Sequence, residues 1–244
     1  MIRKKLLIIL MSGLLALTAC ANSEDSKEES EMSQNTVTSA PESEPEEEIT
    51  SVSIGHEKPE EYGKVIALTF DDGPNTNTTG EVLDVLEKYG VRGTFFLIGD
   101  NINEQSAENV KRAYQMGCEI ANHSKTHSYM NKMEADDIKA EIEFTNEKIK
   151  ELIGVEPVFF RPPYIAVNQT MFDNIDLTFI SGYGCEDYEA KVTAEERYKR
   201  TMEQAKDGAI ILLHDQELNF QTVQALEMII PDLLDQGYEL VTCS

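Results

Sequence analysis

The sequence has no tryptophan and only four histidines. Any aromatic wall of a binding site therefore falls to other rings, and imidazole chemistry to a very small set of residues. Positive charge is also scarce. Against 45 Asp and Glu stand 21 Lys and Arg, leaving a formal net charge of −24. A phosphate backbone needs a basic footprint, so this balance argues against nucleic acid as a partner. Cysteine is sparse, with four in the chain and no C-x-x-C spacing. No apolar run reaches the roughly 20 residues that a membrane-spanning helix needs.

The apolar run that does occur sits at the N-terminus. Arg3, Lys4 and Lys5 precede it, and Leu6 to Leu17 is interrupted only by Ser12 and Gly13. It ends in Leu17-Thr18-Ala19-Cys20, which resembles a bacterial lipobox. The pattern predicts an export signal over residues 1–20, with Cys20 becoming the acylated N-terminus. The lipid would hold the protein on the outer face of a bacterial cell membrane, outside the cytoplasm, and would be its only membrane contact. The remaining Cys118, Cys185 and Cys243 are an odd number, so at most one pair can form. Their surroundings read as core or strand ends, and they are expected to be structural thiols.

Residues 21–62 read as an acidic, disordered stalk, rich in Ser, Glu, Pro and Thr and poor in residues to bury. From 63 to the end at 244 the composition changes. Apolar runs such as Val65–Phe70, Thr94–Ile98, Glu119–Ala121, Val158–Phe160, Leu177–Ile180 and Ala209–Leu213 alternate with amphipathic stretches. Helices are predicted over Glu81–Tyr89, Glu104–Met116, Ala135–Leu152, Ala194–Ala205 and Val223–Leu234, and Glu239–Val241 closes the chain as a strand. The alternation predicts an α/β domain with a parallel sheet. About 180 residues is short for a regular eight-fold barrel, so a distorted or incomplete (β/α) barrel is expected.

Reactive residues follow the apolar strands. Asp71 and Asp72 come after Phe70, His123 and His127 after Ala121, Arg161 after Phe160, and His214 and Asp215 after Leu213. Parallel α/β folds gather their sites at the C-terminal ends of their strands. A charge straight after a buried strand is costly unless paired or ligated. His123 and His127, placed on a helical turn, would point the same way and suit one metal ion. Two imidazoles, one carboxylate and open positions form a familiar catalytic metal set. The Gly73-Pro74 turn would let Asp71 and Asp72 reach one site in different roles.

Four segments carry a family resemblance. Thr69-Phe70-Asp71-Asp72-Gly73-Pro74, His123-Ser124-Lys125-Thr126-His127, Arg161-Pro162-Pro163-Tyr164 and Leu212-Leu213-His214-Asp215 resemble, in order, motifs of the polysaccharide deacetylase family, also called carbohydrate esterase family 4 or the NodB-homology domain. The resemblance covers about residues 63–244. It implies that Asp72, His123 and His127 bind a divalent metal, first of all zinc, with cobalt, nickel or manganese as alternatives. It implies Asp71 as general base and Arg161 as its partner. The backbone N–H of Tyr164 would assist at the oxyanion. His214 would be the general acid, and Leu212 would line the acetyl pocket.

The family's usual Asp-Trp signature is not matched. Asp187-Tyr188 is the nearest counterpart, with Asp187 orienting His214 and Tyr188 standing in part for a sugar-stacking ring. The expected function is a metal-dependent hydrolase that removes acetyl groups from N-acetylated glycans, peptidoglycan or N-acetylglucosamine polymers first among them. The alternatives are an O-acetyl esterase on a polysaccharide such as xylan, and a non-catalytic glycan-binding lipoprotein. The protein is expected to act as a monomer.

Overall fold

The computed structural model describes residues 63–244. The predicted export signal, the expected lipidation at Cys20 and the predicted stalk lie outside the described residues. Each short apolar run becomes a parallel strand, and the helices pack behind them. The order is β1 (Lys64–Asp71), α1 (Thr78–Tyr89), β2 (Thr94–Leu97), α2 (Ala107–Gln115), β3 (Glu119–Asn122), α3 (Ala135–Ile153) and β4 (Phe159–Phe160). Then follow α4 (Gln169–Asn174), β5 (Thr178–Phe179), β6 (Tyr183–Gly184), α5 (Ala194–Gln204), β7 (Ala209–His214), α6 (Phe220–Asp235) and β8 (Tyr238–Val241).

The strands run β5-β4-β3-β2-β1-β7-β6, all parallel. β7 pairs with β1 along Ile66–Asp71. β2 pairs only with Thr69–Asp71, and β8 takes the lower part, Lys64–Ala67. β5 and β6 end the path, yet residues 180–182 alone separate them. Laid flat, seven strands would put these ends about 29 Å apart, while four residue steps reach at most about 14 Å. The sheet must curl, and the result is the expected incomplete barrel of parallel strands surrounded by helices.

Strand parity divides its two faces. Ile66, Leu68 and Phe70 point to the helices and join the main core with Val82, Leu86, Leu226 and Ile230. Phe70 stacks on Phe95, with ring centroids 5.0 Å apart. Thr69 and Asp71 point to the opposite face, into the barrel, because strand side chains alternate. Helix ends follow local chemistry. Asn77 caps α1 at Thr78 N–H, and Thr193 with Glu196 forms a capping box on α5.

Three expectations need correction. The helix predicted from Glu104 starts at Ala107, because the Asn103 side chain accepts from the N–H groups of Gln105 and Ser106 and holds a turn there. Helix α4 and strand β6 were not foreseen. And His123 and His127 do not share a helical turn: they lie in a loop after β3, where Ser124 and His127 have left-handed backbones, φ 72° and 57°.

Candidate active site

The site is a cleft of about 610 Å³ at the C-terminal ends of the strands, and Asp71, Asp72, His123, His127, Tyr164, Tyr188, Leu212 and His214 all line it. Asp71 ends β1 and His214 ends β7, and the two are register partners. Strand pairing alone thus sets a carboxylate and an imidazole side by side. Arg161 directly follows β4 and turns into the barrel.

Arg161 is fully buried. Its Nη1 donates to Asp71 Oδ1 at 2.6 Å and to Thr69 Oγ1 at 2.8 Å. Its guanidinium also lies over the Phe96 ring, 4.0 Å from the centroid. Asp71 Oδ2 is left facing the cleft, 3.7 Å from His123 Nε2.

Asp72, His123 and His127 converge. Their ligand atoms lie within 4.8 Å of one another. Asp72 Oδ1 stands 3.3 Å from His127 Nε2 and 3.5 Å from His123 Nε2. A tetrahedral shell with metal–ligand bonds of about 2.1 Å has edges of about 3.4 Å. Asp72 Oδ1 is also buried without a hydrogen-bond partner, a costly state that a cation would relieve. His123 Nδ1–H donates to the Arg161 carbonyl at 2.6 Å, which fixes the tautomer with Nε2 free as a ligand. The residues present therefore fit a divalent metal. Burial would raise the Asp72 pKa, but His123, with His214 and His127 beyond it, draws it below 3.8. Burial lowers the His127 pKa against the pull of Asp72, which favours the neutral imidazole a metal requires.

Backbone strain concentrates here. Asp72 (φ 75°), His127 (φ 57°) and Tyr164 (φ 59°) all adopt left-handed conformations that cost non-glycine residues. Neighbours hold them in place. Asn101 Nδ2 donates to the Asp72 carbonyl, and Ser124 Oγ accepts from His127 N–H. The Tyr164 ring packs between Tyr129, stacked at 4.0 Å, and His127, edge-on at 4.6 Å.

On the other side of the cleft, His214 Nδ1 donates to Asp187 Oδ1 at 2.8 Å, and Asp187 is fully buried. Burial would lower the His214 pKa. The Asp187 charge and hydrogen bond, reinforced by Asp71 and Asp72, overcome this and push it up to about 9. Tyr188 meets His214 edge-on at 5.6 Å and is 54% exposed, and Leu212 lines the same cleft. Cys118, Cys185 and Cys243 are all free thiols, outside this cluster.

One supporting residue was missed, and a second, Asp215, was named without a role. Glu141 on α3 accepts from the N–H groups of Lys125 and Thr126 and from the Thr126 hydroxyl, pinning the loop between the two histidines. The signal was an acid on an apolar helix face, beside Ile138 and Ile142. Asp215 is buried under the loop after Asp72. It accepts from Gly73 N–H at 3.1 Å and from Thr79 Oγ1, and a Cβ at position 73 would overlap its carboxylate. Burial, opposed by Thr79 and aided by Asp72 and Asp71, pushes its pKa up to about 7. Its place after a fully apolar strand was the clue.

Two imidazoles and a carboxylate with room beside them are the donor set of mononuclear hydrolytic metal centres, here on a curled parallel sheet. A family model described as polysaccharide deacetylase matches residues 58–178. The chain is 54% identical over 181 residues to a bifunctional xylanase/deacetylase of Pseudobutyrivibrio xylanivorans, covering 74% of this chain and 30% of that protein. It is 36% identical over 185 residues to peptidoglycan-N-acetylmuramic acid deacetylase PdaC of Bacillus subtilis, covering 74% and 38%. It therefore spans about a third of the length of these curated relatives. Among solved structures, a family 4 acetyl xylan esterase from Clostridium thermocellum in complex with a cobalt ion shares 43% identity and a TM-score of 0.72, covering 73% of this chain and 88% of that one. The chain belongs to the polysaccharide deacetylase family, carbohydrate esterase family 4.

Proposed function

We propose that this protein is a metal-dependent hydrolase that removes acetyl groups from N-acetylated glycans, with peptidoglycan or N-acetylglucosamine polymers as its substrates. One observation carries this reading. A single cleft holds a metal-capable Asp72–His123–His127 corner, a carboxylate base at Asp71, and a histidine with a raised pKa at His214. Zinc is the metal proposed, and cobalt, nickel and manganese suit the same donors.

Asp72, His123 and His127 would hold a divalent cation, which would supply Lewis acidity toward the acetyl carbonyl and toward water. The protein's own groups divide the proton traffic. Asp71 Oδ2, its partner oxygen held by Arg161, takes the proton of the attacking water. His214 is protonated at neutral pH and faces the cleft with Nε2, since Nδ1 is held by Asp187. It gives its proton to the departing nitrogen, without which an amine is a poor leaving group. Leu212 and Tyr188 flank the acetyl and sugar positions, and the backbone N–H of Tyr164 serves the oxyanion. The protein works as a monomer on the outer face of a cell membrane, held by lipid on Cys20.

O-acetyl groups of xylan are the second reading, favoured by the xylanase/deacetylase and acetyl xylan esterase to which the chain is similar. The test is acetate release from peptidoglycan fragments, N-acetylglucosamine oligomers and acetylated xylan, with zinc or cobalt added. A folded, metal-loaded sample that releases acetate from none of them refutes the hydrolase reading. His214→Ala separates the two bonds, because an alcohol leaves without help from an acid while an amine does not. Equal losses on both would count against the ester. Loss of fatty-acid labelling in Cys20→Ala tests the anchor.

A further inference from the structure

Arg197 is the second large cation sealed inside the molecule, and the chemistry above makes no use of it. It sits on α5, fully buried. Its four hydrogen bonds all go to neutral oxygens: the carbonyls of Val192 and Glu189, Asn219 Oδ1 and Thr222 Oγ1. A buried guanidinium with only neutral acceptors is expensive. The negative charge that balances it is one hydroxyl away. Thr222 Oγ1 accepts from Arg197 Nη1 at 2.8 Å and donates to Asp187 Oδ2 at 2.8 Å.

The polarity of this chain is fixed by counting protons. Thr222 Oγ1 receives N–H groups from both Arg197 and Asn219, so its single proton has only Asp187 to go to. Arg197 also occupies Asn219 Oδ1. That leaves the two Nδ2 protons of Asn219 to be shared among Thr222 Oγ1 and the main-chain oxygens of Asp187 and His214. Asp187 Oδ2 thus receives Thr222 and the His214 N–H, at 2.7 Å, and its Oδ1 is aimed at His214 Nδ1.

We propose that Arg197 is a positioning residue for His214, acting through Thr222 and Asn219 on Asp187. The inference rests on the reading of His214 as the proton donor. Arg197 sets the direction of two hydrogen bonds on Asp187, from Thr222 to its carboxylate and from Asn219 to its main-chain carbonyl, and the carboxylate sets the imidazole. Neither Arg197 nor Thr222 lines the cleft, so substrate affinity is not their business.

The test uses Arg197→Met and the near-isosteric Thr222→Val in the full chain with zinc, on whichever acetylated glycan the wild type hydrolyses. The expected result is a drop in kcat of roughly 10-fold or more with KM nearly unchanged. In an Asp187→Asn background the same substitutions should cost less than about twofold, because the route through Asp187 is already cut. A full additional loss in that background, a loss confined to KM, or no loss at all overturns the proposal. Should Arg197→Met fail to fold, Thr222→Val carries the test. A second readout needs no turnover. The His214 Nδ1 proton, held by Asp187, should appear far downfield by NMR in the wild type and broaden by exchange in both variants. A wild type inactive on every substrate would refute the hydrolase reading, whereas an unchanged Nδ1 proton would refute this one.

Discussion

Replacing Asp187 by Asn keeps the shape of the side chain and removes its charge. In the wild type the His214 pKa stands at about 9 against an ordinary 6.5, although burial alone would push it the other way. Asp187 is the main reason. Without it the pKa should return to about 6.5 or lower, because burial remains and opposes what Asp71 and Asp72 still contribute. At pH 8 the protonated fraction then falls from about nine tenths to about 3%, a loss of roughly 30-fold in any step that needs the proton. At pH 6 the same shift costs less than about twofold. The assay is the initial rate of acetate release from an N-acetylglucosamine oligomer between pH 6 and 10. The wild type should lose activity above about pH 9, and Asp187→Asn should lose it two or more pH units earlier. An activated acetate ester, which leaves without an acid, should be far less affected. An alkaline limb that stays in place, or a loss of equal size at every pH, would refute the reasoning. The fold should show the same linkage. A raised histidine pKa stabilises fully below about pH 6.5 and ceases to do so as pH rises through about 9, so Asp187→Asn should flatten stability over that window.

Chelation should abolish acetate release while leaving the circular dichroism spectrum intact, and added zinc should raise Tm in the wild type but not in Asp72→Ala; an equal rise in both would refute Asp72 as a ligand. Asp215→Asn should change how stability depends on pH. The folded Asp215 pKa of about 7 lies above the usual 3.8, so the wild type binds a proton on folding and loses stability as pH climbs from about 4 to 7. Denaturation of the metal-free variant should show that slope reduced, and parallel curves would refute it. Arg161→Met should cost about 3–5 kcal/mol in urea unfolding, because it leaves the buried Asp71 carboxylate without its cation, and a change under about 1 kcal/mol would contradict the pairing described.

Legibility followed from how locally each feature is made. β1 and β7 could be read because Val65–Phe70 and Ala209–Leu213 are apolar runs broken only by Thr69, as expected of strands buried on both faces. β6 is two residues long and α4 only six, too short for any periodicity. Asn168, which caps α4 by accepting from Met171 N–H, was the one available sign. Asp71, Asp72, His123, His127, Arg161 and His214 could be picked out because they stand at the ends of apolar strands or in the loops that follow. Their distances could not. The left-handed turn at Ser124 and His127 depends on Asn122, Glu141 and Thr145, which act from a neighbouring strand and helix. Thr222 reaches Asp187 across 35 positions, and no window of sequence contains such a bond.

The seam between β5 and β6 gives the curled sheet a mechanical consequence. Two-residue strands contribute few ladder bonds, and residues 180–182 cross the gap between them. Arg161 is the strut across the interior. Its Nη1 grips Asp71 on β1, and its Nη2 donates to the Ser181 carbonyl at 3.3 Å. Gly182 packs close against the same group. Breathing of the barrel is therefore easiest at the seam, and it is tied to the Arg161–Asp71 ion pair. Amide hydrogens around Ser181 and Gly182, followed by deuterium uptake, should report how firmly Arg161 is held by Asp71 in a protein that has been given no substrate.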